Sequence, residues 1–369
     1  MTRNLPIMRG IISRFAPAPT GFLHLGHVVN AARVWDETRA RSGRVLLRIE
    51  DHDRQRSRGR FEEAMLEDLA WLGFEADEPP VRQSERGAIY EDALGRLRAL
   101  GLIYACDCTR AEIAEATAGL KACTTTAGIE PEGVRAIRPA DPEVVQAYRP
   151  ASDAVQAVTP AGSDAVRAIR LADPEVVQAF RPASDAVQAD TPAGSDAVRA
   201  IRPADPEVVQ AFRPAVAELR YPGTCRHRGL VEGPGLGVRV RLEPSVERFV
   251  DLGLGPQEQR PSQQCGDVLA RDRDGNWTYQ FAATVDDYVQ GVTLVIRGVD
   301  LLASTGRQLQ LARLLGRDEP PAFLHHPLIM KSASQKLSKS DGDTGIRELR
   351  ARGWTRAQVI ETALAAVRR

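Results

Sequence analysis

The chain has 369 residues, 43% of them hydrophobic and 27% charged, a composition typical of a globular protein with a full core. Its 49 basic and 49 acidic side chains give a formal net charge of zero, so the net charge does not indicate a nucleic-acid-binding protein. A local basic surface would still be compatible with RNA binding. No run of about 18 apolar residues and no signal segment is present, so we expect a cytoplasmic protein without a membrane partner.

The first part of the chain alternates strand and helix patterns. Apolar runs at 10–15 and 45–49 predict strands. Helical spacing of apolar residues predicts helices at 25–41 and 60–72, the second ended by Gly73. A strand, a crossover helix and a second strand indicate an α/β fold with a Rossmann-type parallel sheet.

Tandem repeats occupy 134–215. The stretch Val-Arg-Ala-Ile-Arg begins at Val134, Val166 and Val198, a spacing of 32 residues. A stacked solenoid is one interpretation of such a period. The units hold few large apolar residues and many Ala and Pro, so we expect a duplicated, solvated insertion without a catalytic role.

The part after the repeats predicts more sheet. Residues 237–242 and 266–281 predict strands, with a turn at Asp274-Gly275-Asn276, and 292–296 predicts a buried strand. The last 30 residues are Arg-rich and predict helix.

A first candidate site lies where the second predicted element begins. His24, Gly26 and His27 fall in the first turn of a helix, whose N-terminus presents unpaired N–H groups suited to a phosphate. Gly26 leaves room for a flat base against the backbone, and both histidines can reach one phosphate. The alternative is a pair of ordinary histidines at a helix start.

A second candidate site is a polar loop near the end of the chain. Only four lysines occur, and Lys331, Lys336 and Lys339 fall within nine residues of one another. Lys336-Leu-Ser-Lys-Ser340 suits a loop that closes over leaving pyrophosphate. By itself it could equally be an ordinary charged loop.

Taken together these motifs resemble glutamyl-tRNA synthetases, members of the class I aminoacyl-tRNA synthetase family. The resemblance rests on Arg14-Phe-Ala-Pro-Ala-Pro-Thr-Gly21, His24-Leu-Gly-His27, Leu47-Arg-Ile-Glu-Asp-His-Asp53, Val285-Asp-Asp-Tyr-Val-Gln-Gly-Val-Thr-Leu-Val-Ile-Arg-Gly298 and Lys336-Leu-Ser-Lys-Ser340. It covers roughly 10–125 and 216–345. It implies that His24, His27, Lys336 and Lys339 are catalytic, and that ATP, with Mg²⁺, is bound by His24, Gly26, His27 and Lys339.

The resemblance also implies a glutamate pocket. It comprises Arg14, Ala16, Ala18, Glu50, Tyr279 and Arg297. The arginines would hold carboxylates through bidentate forks, Glu50 would pair with the α-ammonium, and Tyr279 would add a hydroxyl. For any one of these residues a structural ion pair is the alternative. Ala18 departs from relatives, which often have Ser there.

A zinc site is implied by the same resemblance. Cys106, Cys108, Tyr221 and Cys225 match the Cys-x-Cys and Tyr-x-x-x-Cys zinc set of a shortened branch of the family, and three thiolates with one oxygen suit a tetrahedral ion. His227 is an alternative fourth ligand, and three free cysteines with a core tyrosine would be the structural alternative. Cys123 and Cys265 match no ligand position and are expected to be plain buried thiols.

Only about 29 residues follow Ser340, whereas glutamyl-tRNA synthetases continue into a helical anticodon-binding region. The chain therefore resembles the shortened branch, which attaches glutamate to the queuosine base in the anticodon of tRNA(Asp). The expected partners are ATP, L-glutamate and queuosine-containing tRNA(Asp), and the expected state is a monomer. The alternatives are a truncated enzyme that charges a tRNA 3′ end, a non-catalytic RNA-binding or assembly protein that uses the repeats, and a small-molecule nucleotidyltransferase.

The expected domain organisation follows the resemblance. The first half of the catalytic domain would cover 10–105, and a zinc-binding insertion interrupted by the repeats would cover 106–230. The catalytic domain would resume over 231–345, and a helical tail would cover 346–369.

Overall fold

The computed structural model describes residues 10–125, 219–332, 335–336 and 345–367. These residues belong to a single unit of the chain, Met1–Ala136 with Arg202–Arg369. The tandem repeats lie outside the described residues, so the prediction of a solvated insertion stays a prediction.

Helices and strands are numbered along the described residues. They are β1 (Ile12–Phe15), α1 (Leu25–Arg39), β2 (Arg44–Ile49), α2 (Gly59–Leu72), β3 (Val81–Arg82), α3 (Gly87–Ala99), β4 (Ile103–Cys106), α4 (Arg110–Thr125), β5 (Gly237–Val240), β6 (Glu247–Asp251), β7 (Gly255–Gln259), α5 (Pro261–Gln264), β8 (Val268–Arg271), α6 (Tyr279–Val289), β9 (Leu294–Gly298), α7 (Thr305–Leu314), β10 (Ala322–His326), β11 (Met330–Ser332), β12 (Gln335–Lys336), α8 (Ile346–Ala351) and α9 (Arg356–Ala366). Two 3₁₀ turns, Gln83–Glu85 and Val299–Ser304, precede α3 and α7.

The predicted strand–helix–strand unit is confirmed. β1 and β2 pair in parallel, with Arg14 opposite Leu46, and β3 extends this sheet beyond β2. α1 buries Val28, Ala32 and Trp35 on one face, as their helical spacing predicts. α2 ends at Gly73, whose φ of 81° is the left-handed conformation that glycine adopts at helix ends.

A second sheet has the strand order β7-β6-β10-β9. β10 runs parallel to both β6 and β9, so the predicted strand at 292–296 is confirmed as β9, slightly shifted. The two sheets meet along β1 and β9, because the Thr293 N–H donates to the Ile12 oxygen at 2.8 Å. This junction brings the strands that carry Arg14 and Arg297 side by side.

A third, antiparallel sheet joins β4, β5 and β8. The prediction that 266–281 is strand is correct only for β8. A turn follows, in which the Asp272 N–H donates to the Asn276 oxygen at 2.9 Å, and the chain then enters helix α6. Phe281 and Val285 lie one helical turn apart and are buried together in the core, so tertiary packing favours the helix over the strand that local propensity predicts.

The C-terminal helices α8 and α9 complete the core over the first sheet. Ile346, Val359 and Ala363 are buried in the same cluster as Val28 and Trp35 of α1. The helix predicted for the last 30 residues is confirmed as α8 and α9, and both helices pack into the core. Within the described ranges, no helix is long and apolar enough to cross a membrane.

Candidate active site

Two histidine rings lie together at the start of α1. His24 caps the helix: its Nδ1 accepts the Gly26 N–H at 3.0 Å, and His27 Nδ1 accepts the His24 N–H at 3.1 Å. The ring centroids are 4.0 Å apart. Because each Nδ1 accepts a hydrogen bond, each neutral ring carries its proton on Nε2. The helix start therefore places two imidazole rings beside the positive end of the helix dipole, an arrangement that suits an anion.

Gly26 is required by the packing of this turn. A Cβ atom at position 26 would lie 2.9 Å from Cε1 and 3.1 Å from Nδ1 of His24. The glycine thus lets the His24 ring fold back onto the helix end, a reason that the sequence pattern did not reveal.

The lysine loop begins and ends at described positions. Lys336 is the last residue of β12, whereas 337–344, which include Lys339, lie outside the described residues. The chain is described again at Gly345, which forms an antiparallel bridge with His24, and the Ile346 N–H donates to the Leu23 oxygen at 2.9 Å. The chain that follows the loop therefore pairs with the turn that carries the two histidines, and the roles of the lysines stay a prediction.

A buried ion-pair network joins β1, β2 and α6. Asp287 accepts from Arg14 Nε at 2.9 Å and from Arg48 at 2.8 Å. The Arg48 side chain is fully buried and also lies 3.5 Å from Glu50 and 3.7 Å from Asp286. Burial opposes the Asp287 charge, but the two arginines hold the pKa of this carboxyl at about 2.

Arg48, Asp286 and Asp287 were not predicted as functional residues. A signal for Arg48 was available, since it is the one charged residue within the apolar run 45–49. The pairing of Arg48 with Asp287 could not be predicted, because 239 residues separate them along the chain.

Glu50 and Tyr279 face the same space as the arginines. Glu50 directly follows β2, and its N–H donates to the Pro17 oxygen at 3.0 Å, which places the turn holding Ala16 and Ala18 against it. Burial raises the pKa of Glu50, partly offset by Arg48. Burial also raises the pKa of Tyr279, and the charge of Glu50 adds to this effect. The structure thus brings the predicted pocket residues together.

Arg297 has a different environment from Arg14. Its Nε donates to His325 Nε2 at 3.0 Å, and its two terminal nitrogens donate to Gln308 at 2.7 Å and Thr305 at 2.9 Å. All three acceptors are neutral groups. Arg297 is only 3% exposed, and burial lowers the pKa of its guanidinium. No carboxylate of the described residues lies within ion-pair distance of it.

The predicted sulfur ligands converge. The Sγ atoms of Cys106, Cys108 and Cys225 all lie within 4.8 Å of one another, and those of Cys108 and Cys225 are 3.4 Å apart. Burial, followed by the hydrogen bond with the Cys225 thiol, raises the pKa of Cys108 to about 12. The pKa of Cys106 is lowered, because hydrogen bonds with Tyr221 and Arg239 outweigh the opposing effect of burial. The hydrogen bond from Thr117 Oγ1 to the Arg220 oxygen, 2.9 Å long, holds the flanking chains together.

Tyr221 is the candidate fourth ligand that belongs to this cluster. Its hydroxyl is 3.5 Å from the Cys106 sulfur and accepts the Cys225 N–H at 2.9 Å. His227 is exposed and does not join the cluster, so the alternative ligand set loses support. Cys265 is a buried thiol that donates to the Pro261 oxygen, as expected, whereas the side chain of Cys123 lies outside the described residues.

A cleft of about 970 Å³ extends from Tyr279 to the cysteine cluster. This volume lies at the upper end of the range for small-molecule sites. Trp277 and Thr278 line it beside Tyr279. Ionisable side chains also line it: His52, Asp53, Arg56, Arg110, Asp267, Asp272, Arg273, Asp274 and Arg307.

The catalytic-domain family "tRNA synthetases class I (E and Q), catalytic domain" matches residues 10–130 and 227–366. The chain belongs to this family. The match contains the histidine turn, the ion-pair network and the Arg297 environment, and it leaves out 131–226, where the repeats lie.

Two curated relatives of this synthetase-family chain are identical to it at about a third of the aligned residues. It is 36% identical to the Glutamyl-Q tRNA(Asp) synthetase of Bordetella bronchiseptica over 333 residues, which are 90% of this chain and 75% of that protein. It is 31% identical to the protein of the same name from Rhodobacter capsulatus, over 95% of this chain and 98% of that one.

A solved structure supports the same fold. The glutamate-tRNA synthetase of Elizabethkingia anophelis aligns with a TM-score of 0.54 at 23% identity, over 90% of this synthetase-family chain and 53% of that one. The chain thus spans about half the length of that solved enzyme, and the likeness concerns the fold alone.

Proposed function

We propose that this chain activates L-glutamate with ATP and transfers the glutamyl group to the queuosine base of tRNA(Asp). One observation carries the activation step: Arg14, Glu50 and Arg297 gather at the carboxyl ends of parallel strands β1, β2 and β9, next to the histidine turn of α1. Ligands of open α/β sheets bind at this edge. The names of the curated relatives support the choice of acceptor.

Two arginines and one glutamate bind the amino acid, and they differ in whether a protein group of opposite charge already pairs with them. Arg297 is buried among neutral acceptors, so it receives the side-chain carboxylate of glutamate. Arg14 already forms an ion pair with Asp287, and its guanidinium also contributes to binding a carboxylate of the substrate. Glu50 pairs with the α-ammonium, whose charge would counter the effect of burial on the Glu50 pKa. Tyr279 adds its hydroxyl, while Ala16 and Ala18 leave room along the backbone turn.

ATP, with Mg²⁺, binds at the start of α1. A carboxylate oxygen of the α-carboxyl group attacks the α-phosphorus, the bond to the β-phosphate oxygen breaks, and pyrophosphate leaves as glutamyl-adenylate forms. The Nε2 donors of His24 and His27 stabilise the charge that develops on the α-phosphate oxygens. Lys336 and Lys339 act on the leaving pyrophosphate, which is consistent with the return of their loop to His24 at Gly345.

Transfer uses the cleft beside Tyr279. A hydroxyl of the cyclopentene diol of queuosine attacks the glutamyl carbonyl carbon, its proton departs, and AMP leaves with the bonding electrons. The cleft has the volume to admit a nucleoside, and Trp277 at its wall offers an aromatic face for stacking.

The cysteine cluster holds one structural zinc ion. Three thiol sulfurs within 4.8 Å of one another, with the Tyr221 hydroxyl beside them, form a donor set of the number and chemistry that tetrahedral zinc requires. The ion would hold the two ends of the predicted insertion subdomain, 106–230, against the third sheet.

The decisive experiment supplies ATP, labelled glutamate and tRNA(Asp) with or without queuosine. Label that requires queuosine and maps by nuclease digestion to the anticodon stem-loop supports the proposal. Label on the terminal adenosine would instead identify a tRNA-charging enzyme. Absence of any labelled tRNA would leave the transfer step without support.

Glutamate activation has its own test in glutamate-dependent ATP–pyrophosphate exchange. Arg14→Ala should abolish the exchange, since it removes a pocket charge and leaves Asp287 with one partner fewer. Arg44→Ala is the matched control, because Arg44 begins β2 but is exposed and pairs with Glu78 at the surface. Equal exchange rates for both variants would refute the assignment of Arg14 to the glutamate pocket.

A further inference from the structure

Three neighbouring strands place Asp251, His325 and Arg297 in line. β10 lies between β6 and β9, and its parallel register sets His325 opposite Arg297. Asp251 ends β6 on the other side of β10. The Asp251 carboxylate lies 2.6 Å from His325 Nδ1, and His325 Nε2 lies 3.0 Å from Arg297 Nε.

The two hydrogen bonds define the tautomer of His325. Arg297 has only donors, so Nε2 of His325 must accept, and the ring proton must therefore be on Nδ1, facing Asp251. Both the His325 and Asp251 side chains are fully buried. Burial lowers the pKa of His325, which agrees with a neutral ring.

The Asp251 carboxylate accepts hydrogen bonds from three backbone N–H groups. Oδ1 accepts the N–H groups of Gly253 and Leu254, each at 2.9 Å, and the His325 N–H lies 3.2 Å from Oδ2. These bonds fix the carboxylate against the ring, so Asp251 lies one imidazole ring away from Arg297.

This separation matters for a carboxylate receptor. A carboxylate in direct contact with Arg297 would compete with the substrate for the guanidinium. His325, Gln308 and Thr305 contact the guanidinium as neutral groups, so no opposite charge competes with a ligand carboxylate. The remote Asp251 charge offsets part of the cost of burying the cation.

We propose that His325, fixed by Asp251, is the positioning residue that orients Arg297 and makes the site selective for the side-chain carboxylate of glutamate over the carboxamide of glutamine. The inference rests on the proposed glutamate activation. It adds Asp251 and His325 to the specificity apparatus as residues that act through Arg297.

The test measures ATP–pyrophosphate exchange with glutamate and with glutamine. His325→Leu removes the acceptor for Arg297, and we expect the KM for glutamate to rise on the order of 10- to 100-fold, the effect of losing a hydrogen bond to a charged group. The KM for ATP should not change, and the preference for glutamate over glutamine in kcat/KM should fall.

Two further variants separate positioning from a general loss of structure. His325→Gln keeps an acceptor near Nε2 and should recover part of the glutamate KM. Asp251→Asn removes the charge that fixes the ring and should raise the KM in the same direction as His325→Leu. His326→Gln is the matched control, because His326 is the next buried residue of β10 but contacts Asn30 instead of Arg297, so it should leave the glutamate KM unchanged.

The outcomes distinguish this inference from the proposed function. A wild-type protein that shows no glutamate-dependent exchange, with or without tRNA, overturns both. Normal wild-type exchange together with an unchanged glutamate KM and selectivity in His325→Leu overturns the positioning role alone. Equal rises in the KM for ATP and for glutamate, without recovery in His325→Gln, would also overturn it.

Discussion

Substitution of Asp287 by Asn tests whether the ion-pair network holds the catalytic domain together. The Asp287 carboxylate bridges Arg14 of β1 and Arg48 of β2 from helix α6, at 2.9 and 2.8 Å. Asn has the same shape but no charge, so the variant leaves both buried arginines with fewer negative partners.

The expected cost follows from two independent arguments. The pKa of Asp287 is about 2, whereas the ordinary value is 3.8, so ionisation in the folded state contributes about 2 kcal/mol at neutral pH. Because the folded pKa is the lower one, this contribution is complete above about pH 4 and is lost as the pH falls towards 2. Breaking a buried pair by substitution generally costs about 3–5 kcal/mol, since the partner charges stay buried. We therefore expect a loss of about 3 kcal/mol.

Urea unfolding followed by tryptophan fluorescence at pH 7 measures this loss. Asp92→Asn is the matched control, because the Asp92–Arg96 pair is an exposed i,i+4 pair on α3 and should contribute only about 0.5 kcal/mol. If both variants unfold at the same urea concentration with the same slope, the reasoning about the buried network is wrong.

Four other outcomes are expected. Gly26→Ala should lower glutamate-dependent exchange on the order of 10- to 100-fold with little change in melting temperature, because the added Cβ displaces a catalytic ring; wild-type rates would contradict this. Burial raises the pKa of Asp68 to about 6, so the free energy of unfolding should fall as the pH rises from about 4 to 6. Asp68→Asn should remove this pH dependence and stabilise the protein by about 2 kcal/mol in thermal melts at pH 7. Metal analysis should find about one zinc per chain, reduced in Tyr221→Phe and unchanged in His227→Ala; the reverse result would assign the fourth ligand to the histidine. Deletion of 134–215 should leave exchange nearly intact, and a large loss of kcat would show that the repeats take part in activation.

The parts of the fold that could be predicted from the sequence are those set by local periodicity. β1, α1, β2 and α2 fall within two or three residues of their predicted bounds, because apolar spacing and a glycine at the helix end determine them locally. Residues 279–281 were predicted as strand and are helix, because packing of the buried face of α6 outweighs the strand propensity of an aromatic stretch.

The residues of the candidate site also divide into those that a local motif predicts and those that only the assembled fold reveals. Residues in short motifs, such as His24 and Arg14, could be selected from the sequence because the motif itself carries their chemistry. Asp251 and His325 could not, since their role depends on the register of three strands, and 74 residues separate them along the chain. A buried polar network of this kind becomes visible only when the sheet is assembled.

The short contacts at the two ends of the repeat region have a consequence for how the gene can change. The Cys108–Cys225 contact and the Thr117–Arg220 hydrogen bond hold the entering and leaving chains together at a fixed separation. Chain inserted between points that already lie together need not move either point. Copies of the 32-residue unit could therefore be gained or lost in frame without a change in the separation of these two contacts.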